Sequence, residues 1–131
     1  MSTVMIVGAT RGIGLELVKQ YAAEGAQIIA CARDTGAADQ LDAVAEGNDS
    51  ISIQQLDIAD PASIEAAGAA LGDQAIDTLI VVAGVTGGAK QSLDDLDLDA
   101  WHETLNANTI GTCWSRKLSS RTSQLQEPET S

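Results

Sequence analysis

Residues 3–14 read TVMIVGATRGIG, an apolar run followed at once by a glycine-rich turn. Amphipathic sequence comes next, so the order of elements is strand, turn, helix. Gly8 permits a tight turn out of the strand, Gly12 lets the backbone approach a pyrophosphate, and Gly14 allows the helix to pack closely on the sheet. Because the N-terminal N–H groups and the positive dipole end of a helix attract anions, the segment predicts a phosphate-binding turn.

The first helix should bury one face. Ile13, Leu17 and Tyr21 recur every four residues with Val18 beside them, which predicts an apolar face. Gly25 is expected to end this helix as its C-cap.

The remaining sequence alternates strand and helix patterns. After the first strand, apolar runs at 27–32, 51–56 and 78–83 predict three more, and the last is apolar almost throughout, which suits a central strand covered on both faces. Helical patterns occupy 39–46, 61–71 and a segment from about Ala100, and Asp60 with Pro61 forms a helix start. The sequence therefore predicts an α/β fold, a Rossmann-like doubly wound parallel sheet reduced to about four strands.

Several segments resemble the short-chain dehydrogenase/reductase family. They are the Gly-x-x-x-Gly-x-Gly spacing of residues 8–14, LDI at 56–58, IDTL at 76–79, and the stretch from QSL at 91–93 to NANTIG at 106–111. The resemblance extends from Thr3 to about Thr112 and is nearest to the C-factor and carbonyl-reductase-like branch. It implies a dinucleotide-binding half-domain at 1–112, followed by a divergent tail at 113–131 that we expect to be disordered.

The resemblance also implies which residues meet a cofactor. Asp57 matches the Asp that contacts adenine in relatives, and Asn108 matches the Asn of the family's catalytic tetrad. At 81–84 the chain reads VVAG where relatives usually carry Asn-Asn-Ala-Gly. The expected cofactor-binding residues are Gly8, Thr10, Arg11, Gly12, Ile13, Gly14, Arg33, Asp57, Ile58, Ala83 and Gly84.

Arg33 bears on the choice of cofactor. It follows the second strand, where dinucleotide-binding folds contact the adenosine ribose, and an Arg there accommodates a 2′-phosphate. Ala32 stands where NAD-preferring relatives usually carry Asp, and Arg11 in the glycine turn faces the same phosphate. We therefore expect NADP(H) to be favoured over NAD(H).

The family's proton donor has no counterpart here. Relatives continue with a catalytic Ser and a Tyr-x-x-x-Lys pair, whereas Tyr21 is the only tyrosine of these 131 residues and has no Lys four residues on. Three hypotheses remain open: an NADP(H)-dependent oxidoreductase by descent, acting on a small carbonyl or alcohol substrate once completed; a non-catalytic dinucleotide-binding or interaction module; or the product of a frameshifted or truncated gene.

Composition restricts the partners. A net charge of −12 disfavours nucleic acid and anionic membrane surfaces, and no segment is long enough to span a bilayer. Cys31 and Cys113 show neither metal-ligand spacing nor a disulfide framework, which favours reduced thiols and a cytoplasmic location. The acidic group at 94–99 is interpreted as a solvated helix start and His102 as a surface residue. An exposed edge of the fourth strand would favour self-association or a partner that adds a strand.

Overall fold

The computed structural model describes residues 2–84, 92–113, 115, 116 and 118. The strands are β1 (Thr3–Val7), β2 (Gln27–Ala32), β3 (Ile51–Gln55) and β4 (Thr78–Val81), and the α-helices are α1 (Gly12–Ala23), α2 (Asp39–Ala45), α3 (Pro61–Leu71) and α4 (Leu98–Leu105). A 3₁₀ turn at Thr35–Ala37 precedes α2, and a π-helical segment at Asn106–Gly111 continues α4.

All strand pairs are parallel, and the order across the sheet is β3-β2-β1-β4. This is the strand order of the first half of a doubly wound fold. The strands β2 and β3 are added on one side of β1 and β4 on the other, so the strand order reverses between β1 and β4. The predicted fold class is confirmed. Within the described residues β4 pairs only with β1, so it is an edge strand here, and Leu79, Ile80 and Val81 are only half-buried.

Each face of the sheet has its own apolar core. Because side chains alternate along a strand, Val4 and Ile6 of β1 point to the face covered by α1 and α2, whereas Met5 and Val7 point to the face covered by α3. The residues of the first core include Leu15, Val18 and Leu41; those of the second include Ile64, Ala67, Ala107 and Leu118. Burial on both faces explains why the strands are apolar at nearly every position.

Acidic caps define two helix starts. The side chain of Asp60 accepts a hydrogen bond from the Ala62 amide at 3.0 Å, with Pro61 as the first helical residue. The side chain of Asp97 accepts one from the Ala100 amide at 3.1 Å, which confirms the acidic group as a helix start. Gly25, in a left-handed conformation with φ of 83°, lies just beyond the end of α1.

The predicted buried face of α1 is wrong at one position. Leu17 and Tyr21 pack against the first core as expected, but the Ile13 side chain is 72% exposed. Ile13 is the second residue of the helix, and within the described part of the chain no element covers its side chain. Leu15, which the four-residue spacing passed over, is buried instead.

The last helix extends past the predicted domain boundary at 112. Cys113, Ser115, Arg116 and Leu118 are helical; the Ser115 hydroxyl donates to the Gly111 carbonyl at 2.8 Å, and Leu118 is buried. The division into 1–112 and a tail at 113–131 stays a prediction. Gln91 of the QSL motif and residues 119–131 lie outside the described residues. No helix in the described ranges is long and apolar enough to cross a membrane.

Candidate functional site

The glycine turn is held at the carboxyl ends of β1 and β2. The amides of Gly8 and Ala9 both donate to the Cys31 carbonyl, at 3.2 and 3.1 Å. These two bonds attach the turn after β1 to the neighbouring strand. Thr10 and Arg11 therefore lie in the loop above this edge of the sheet, half-buried and exposed respectively.

The three glycines differ in what surrounds them. A Cβ on Gly14 would overlap the Gly8 carbonyl oxygen, so Gly14 is needed for close packing of α1 on the turn. Gly12 has φ of +57°, and nothing lies within 4 Å of the position of its Cβ. Protein packing thus explains Gly14, whereas the open side of Gly12 leaves room for a ligand to approach the backbone.

Within the described residues, no acidic side chain of its N-cap or first turn neutralises the N-terminus of α1. Its N-cap, Arg11, makes no side-chain capping bond, and its first turn contains no acidic residue. Among the described α-helices only α1 lacks an acidic residue at the N-cap or in the first turn, in a chain with 19 acidic residues. The free N–H groups and the positive dipole end of α1 make this place suited to a bound anion.

Two arginines lie near this helix start. Arg11 is its N-cap, and Arg33 directly follows β2, whose last residue, Ala32, is buried. Both Arg side chains are exposed. Since β1 and β2 are adjacent and parallel, the loops that carry the two guanidinium groups leave the sheet at the same edge.

Asp57 and Ile58 form the loop that follows β3 at this edge. One carboxylate oxygen of Asp57 accepts a hydrogen bond from the Ala59 amide at 3.0 Å, which folds the loop into a turn. The Asp57 amide donates to the Ser63 hydroxyl at 2.8 Å. Ile58 is buried, and its carbonyl packs so close to Gly111 that a Cβ there would overlap it.

Asn108 lies beside the end of β4. A Cβ on Gly84 would stand 3.1 Å from the Asn108 side-chain oxygen, so the side chain reaches over this backbone. Asn108 belongs to the π-helical segment, and such segments occur frequently at functional sites. The amide group of Asn106 donates to the Ala59 carbonyl at 2.7 Å, which anchors this segment to the loop after β3.

Three polar residues of the site were missed by sequence reasoning. Gln55, Ser63 and Asn106 each make a hydrogen bond to the loop at 55–59 or to the end of β2. Ser63 carries a sequence signal, since it lies on the inward face of α3 one residue before Ile64. The partners of Gln55 and Asn106 lie 22 and 47 residues away, so no local pattern identifies them.

The side chains of Tyr21, His102 and Cys31 do not contribute a catalytic group to this site. Tyr21 is half-buried against the first core, and His102 is exposed on α4. Burial raises the pKa of the Cys31 thiol to about 12, so this residue is neutral at ordinary pH. No group of three or more His, Cys, Asp or Glu in the described ranges is arranged to hold a metal ion.

An open depression beside α2 is a poor alternative anion site. Its lining includes the carboxylates of Asp39, Asp42 and Glu46. Three negative charges repel phosphate, whereas the glycine turn presents amide N–H groups and arginines. The electrostatics therefore favour the carboxyl edge of the sheet.

Sequence comparisons match this chain to a family model and to related proteins. The model of the short chain dehydrogenase family matches residues 2–125. A mouse protein, dehydrogenase/reductase SDR family member 7B, is 29% identical over 117 residues, which cover 84% of this chain and 36% of that protein. The (+)-neomenthol dehydrogenase of Arabidopsis thaliana is 42% identical over 65 residues, 46% of this chain and 22% of the enzyme.

Solved structures share the fold of this chain. A carbonyl reductase from Pseudomonas aeruginosa is 32% identical, with a TM-score of 0.86 over 93% of this chain and 56% of that one. A short-chain dehydrogenase/reductase from Burkholderia multivorans with bound NADP is 26% identical, with a TM-score of 0.85 over 92% of this chain and 53% of that one. The chain thus spans about half the length of the solved structures and about a third or less of the curated relatives.

Proposed function

The chain belongs to the short-chain dehydrogenase family, and on that basis we propose that it binds NADP(H) at the carboxyl edge of β1, β2 and β4. The observation that carries the proposal is the uncapped N-terminus of α1 behind a glycine turn whose Gly12 faces open space. The arginines near this helix start carry a charge opposite to that of a pyrophosphate. A pyrophosphate also matches the N–H donors that no acidic residue of the N-cap or first turn satisfies.

Different residues at this edge are proposed to bind different parts of the cofactor. Gly8, Thr10, Gly12, Ile13 and Gly14 form the pyrophosphate turn, with the exposed Ile13 side chain offering apolar contact to the ligand.

Arg33 and Arg11 would neutralise a 2′-phosphate, Asp57 and Ile58 flank the adenine, and Ala83 and Gly84 line the nicotinamide side. The NADP-bound relative from Burkholderia multivorans supports the nicotinamide dinucleotide, and the arginines of this chain support the phosphorylated form.

The reaction proposed for the completed fold is hydride transfer between the nicotinamide and a small carbonyl or alcohol substrate. The bound cofactor supplies or accepts the hydride. Asn108 lies beside Gly84 at the end of β4, where it positions a polar group near the reacting end of the cofactor. Such a reduction also requires a proton donor, and Tyr21 is packed against the first core rather than at this edge.

The position of Tyr21 favours a second candidate function for the chain by itself, a dinucleotide-binding module that does not turn over substrate. Binding requires only the glycine turn and its arginines, whereas turnover requires an acid. We also propose a cytoplasmic location, which the free thiols of Cys31 and Cys113 support.

The proposal is tested by titrating the full 131-residue chain with NADPH and with NADH, following ligand fluorescence. We expect saturable binding of both and tighter binding of NADPH. The matched control is Gly72→Asp, which imposes the same left-handed φ of +57° at the end of α3 and should leave binding unchanged. The test variant is Gly12→Asp, which places a carboxylate at the N-terminus of α1. It should abolish the binding of both ligands. Absence of saturable binding by the unsubstituted chain would refute the proposal.

A further inference from the structure

A chain of hydrogen bonds connects the two loops that are proposed to hold the adenosine end of the cofactor. The Asp57 amide donates to the Ser63 hydroxyl at 2.8 Å, and that hydroxyl donates to the side-chain oxygen of Gln55 at 3.2 Å. The side-chain nitrogen of Gln55 then donates to the Arg33 carbonyl at 3.1 Å. The bonds join the end of β2, the end of β3 and the first turn of α3.

The orientation of each group in this chain is fixed by its partner. The Arg33 carbonyl can only accept, so the Gln55 nitrogen must face it and the Gln55 oxygen must face Ser63. The Asp57 amide can only donate, so the Ser63 hydroxyl uses its proton toward Gln55. Ser63 is 8% exposed, and a hydroxyl removed from water keeps such partners because losing them leaves a buried polar group unsatisfied.

The contact between Gln55 and Arg33 extends the sheet beyond its last backbone pair. The Leu56 amide donates to the Ala32 carbonyl at 2.9 Å, the final ladder bond between β2 and β3. Arg33 is the next residue, and its carbonyl is held by a side chain rather than by a strand. The backbone that carries the exposed guanidinium is therefore restrained at the point where it leaves the sheet.

We propose that Gln55 and Ser63 are positioning residues of the nucleotide site: Gln55 aligns Arg33 for the 2′-phosphate, and Ser63 aligns Asp57 for the adenine. This inference rests on the proposed function. It predicts that the two residues affect cofactor binding differently, because the 2′-phosphate is present only in NADP(H) whereas the adenine is common to both cofactors. Loss of Gln55 should affect one ligand, and loss of Ser63 should affect both.

The test is a set of NADPH and NADH titrations of the full chain. Gln55→Met keeps the length of the side chain and removes its polar atoms; we expect the Kd for NADPH to rise about fivefold to tenfold, with the Kd for NADH changed less than about twofold. Ser63→Ala should weaken both ligands, and NADPH at least as strongly as NADH, because it also removes the partner of the Gln55 side-chain oxygen. Gln74→Met, the same exchange at an exposed position after α3, is the control and should leave both Kd values unchanged.

A second variant guards against an effect of the methionine itself. Gln55→Asn retains the amide but is too short to reach Arg33 and Ser63 together, so it should reproduce the selective loss of NADPH affinity. If Gln55→Met and Gln55→Asn leave the ratio of the two Kd values as in the unsubstituted chain, the inference is wrong while the proposed function stands. If the unsubstituted chain binds neither cofactor, both fail.

Discussion

The backbone of Gly8 lies so close to that of Ala83 that a Cβ at position 8 would stand 2.6 Å from the Ala83 nitrogen. Gly8 directly follows β1 and Ala83 lies two residues after β4, and the Ala83 amide donates to the Val7 carbonyl at 3.0 Å. The glycine turn and the end of β4 are thus joined at the point where strand order reverses. Cofactor sites of this fold class lie at that point, so the contact between Gly8 and Ala83 lies within the proposed binding site.

Gly8→Ala should destabilise the chain by about 3 kcal/mol or more, because it combines a left-handed φ of +92° with a clash against backbone. The control is Gly47→Ala, which has φ of +73° and nothing within 4 Å of the Cβ position. It should cost only about 1 kcal/mol, the conformational part alone. Urea unfolding of the two variants measures the difference, and equal losses would contradict the close approach.

Arg33→Asp should reverse the preference between NADPH and NADH. It removes a charge-assisted hydrogen bond to the 2′-phosphate, on the order of 1.5–3 kcal/mol before desolvation, and gives the ribose 2′-hydroxyl an acceptor. Lys19→Glu changes the net charge equally at an exposed position of α1 and serves as the control. Titrations of both cofactors decide the matter, and equal affinities in the unsubstituted chain would argue against the role of Arg33.

The chain by itself should not reduce carbonyl substrates at a rate that depends on a protein acid. Positioned acid–base catalysis typically contributes about 10²–10⁴-fold, and the only tyrosine, Tyr21, is packed on α1. The measurement is the oxidation of NADPH with a broad panel of aldehydes and ketones. Turnover that disappears in Asn108→Ala would contradict this expectation and require another proton donor.

Stability should fall at alkaline pH through Cys31. Burial raises the pKa of its thiol from 9.0 to about 12, so between these values the unfolded chain releases a proton that the folded chain retains. The contribution is fully present below pH 9.0 and decreases as pH rises toward 12, by about 1.4 kcal/mol per pH unit. Urea unfolding over this range should show a steeper loss for the unsubstituted chain than for Cys31→Ala. Parallel curves would contradict the assignment.

The chain should associate as its concentration rises. Within the described residues β4 is an edge strand that pairs only with β1 and has half-buried apolar side chains, and the outer side of such an edge can template further pairing. Light scattering should show growing mass with concentration, and calorimetry a transition of low cooperativity. A monodisperse monomer with a cooperative transition would show that another part of the chain protects this edge.

The local sequence was sufficient to predict the strands, the helices and the glycine turn. Strand positions were predictable because burial on both faces demands apolar residues throughout. Helix starts were predictable because Asp60 and Asp97 cap the helices that follow them. Boundaries were less accurate: β4 ends at Val81 rather than at residue 83, because the amides of Val82 and Ala83 both donate to the Val7 carbonyl and so depart from the regular ladder. Ile13 fitted the helical period, but within the described part of the chain no element covers its side chain.

The sequence by itself determined that this chain forms parallel strands with a glycine-rich turn before the first helix, because these depend on spacing and on the conformational freedom of glycine at a few adjacent positions. Only the tertiary structure decided that Gly8 meets Ala83, that Asn108 reaches over Gly84, and that Gln55 holds the Arg33 carbonyl. Each of these contacts joins residues that are distant in the chain. They follow from the order β3-β2-β1-β4, which brings the carboxyl ends of the strands to one edge.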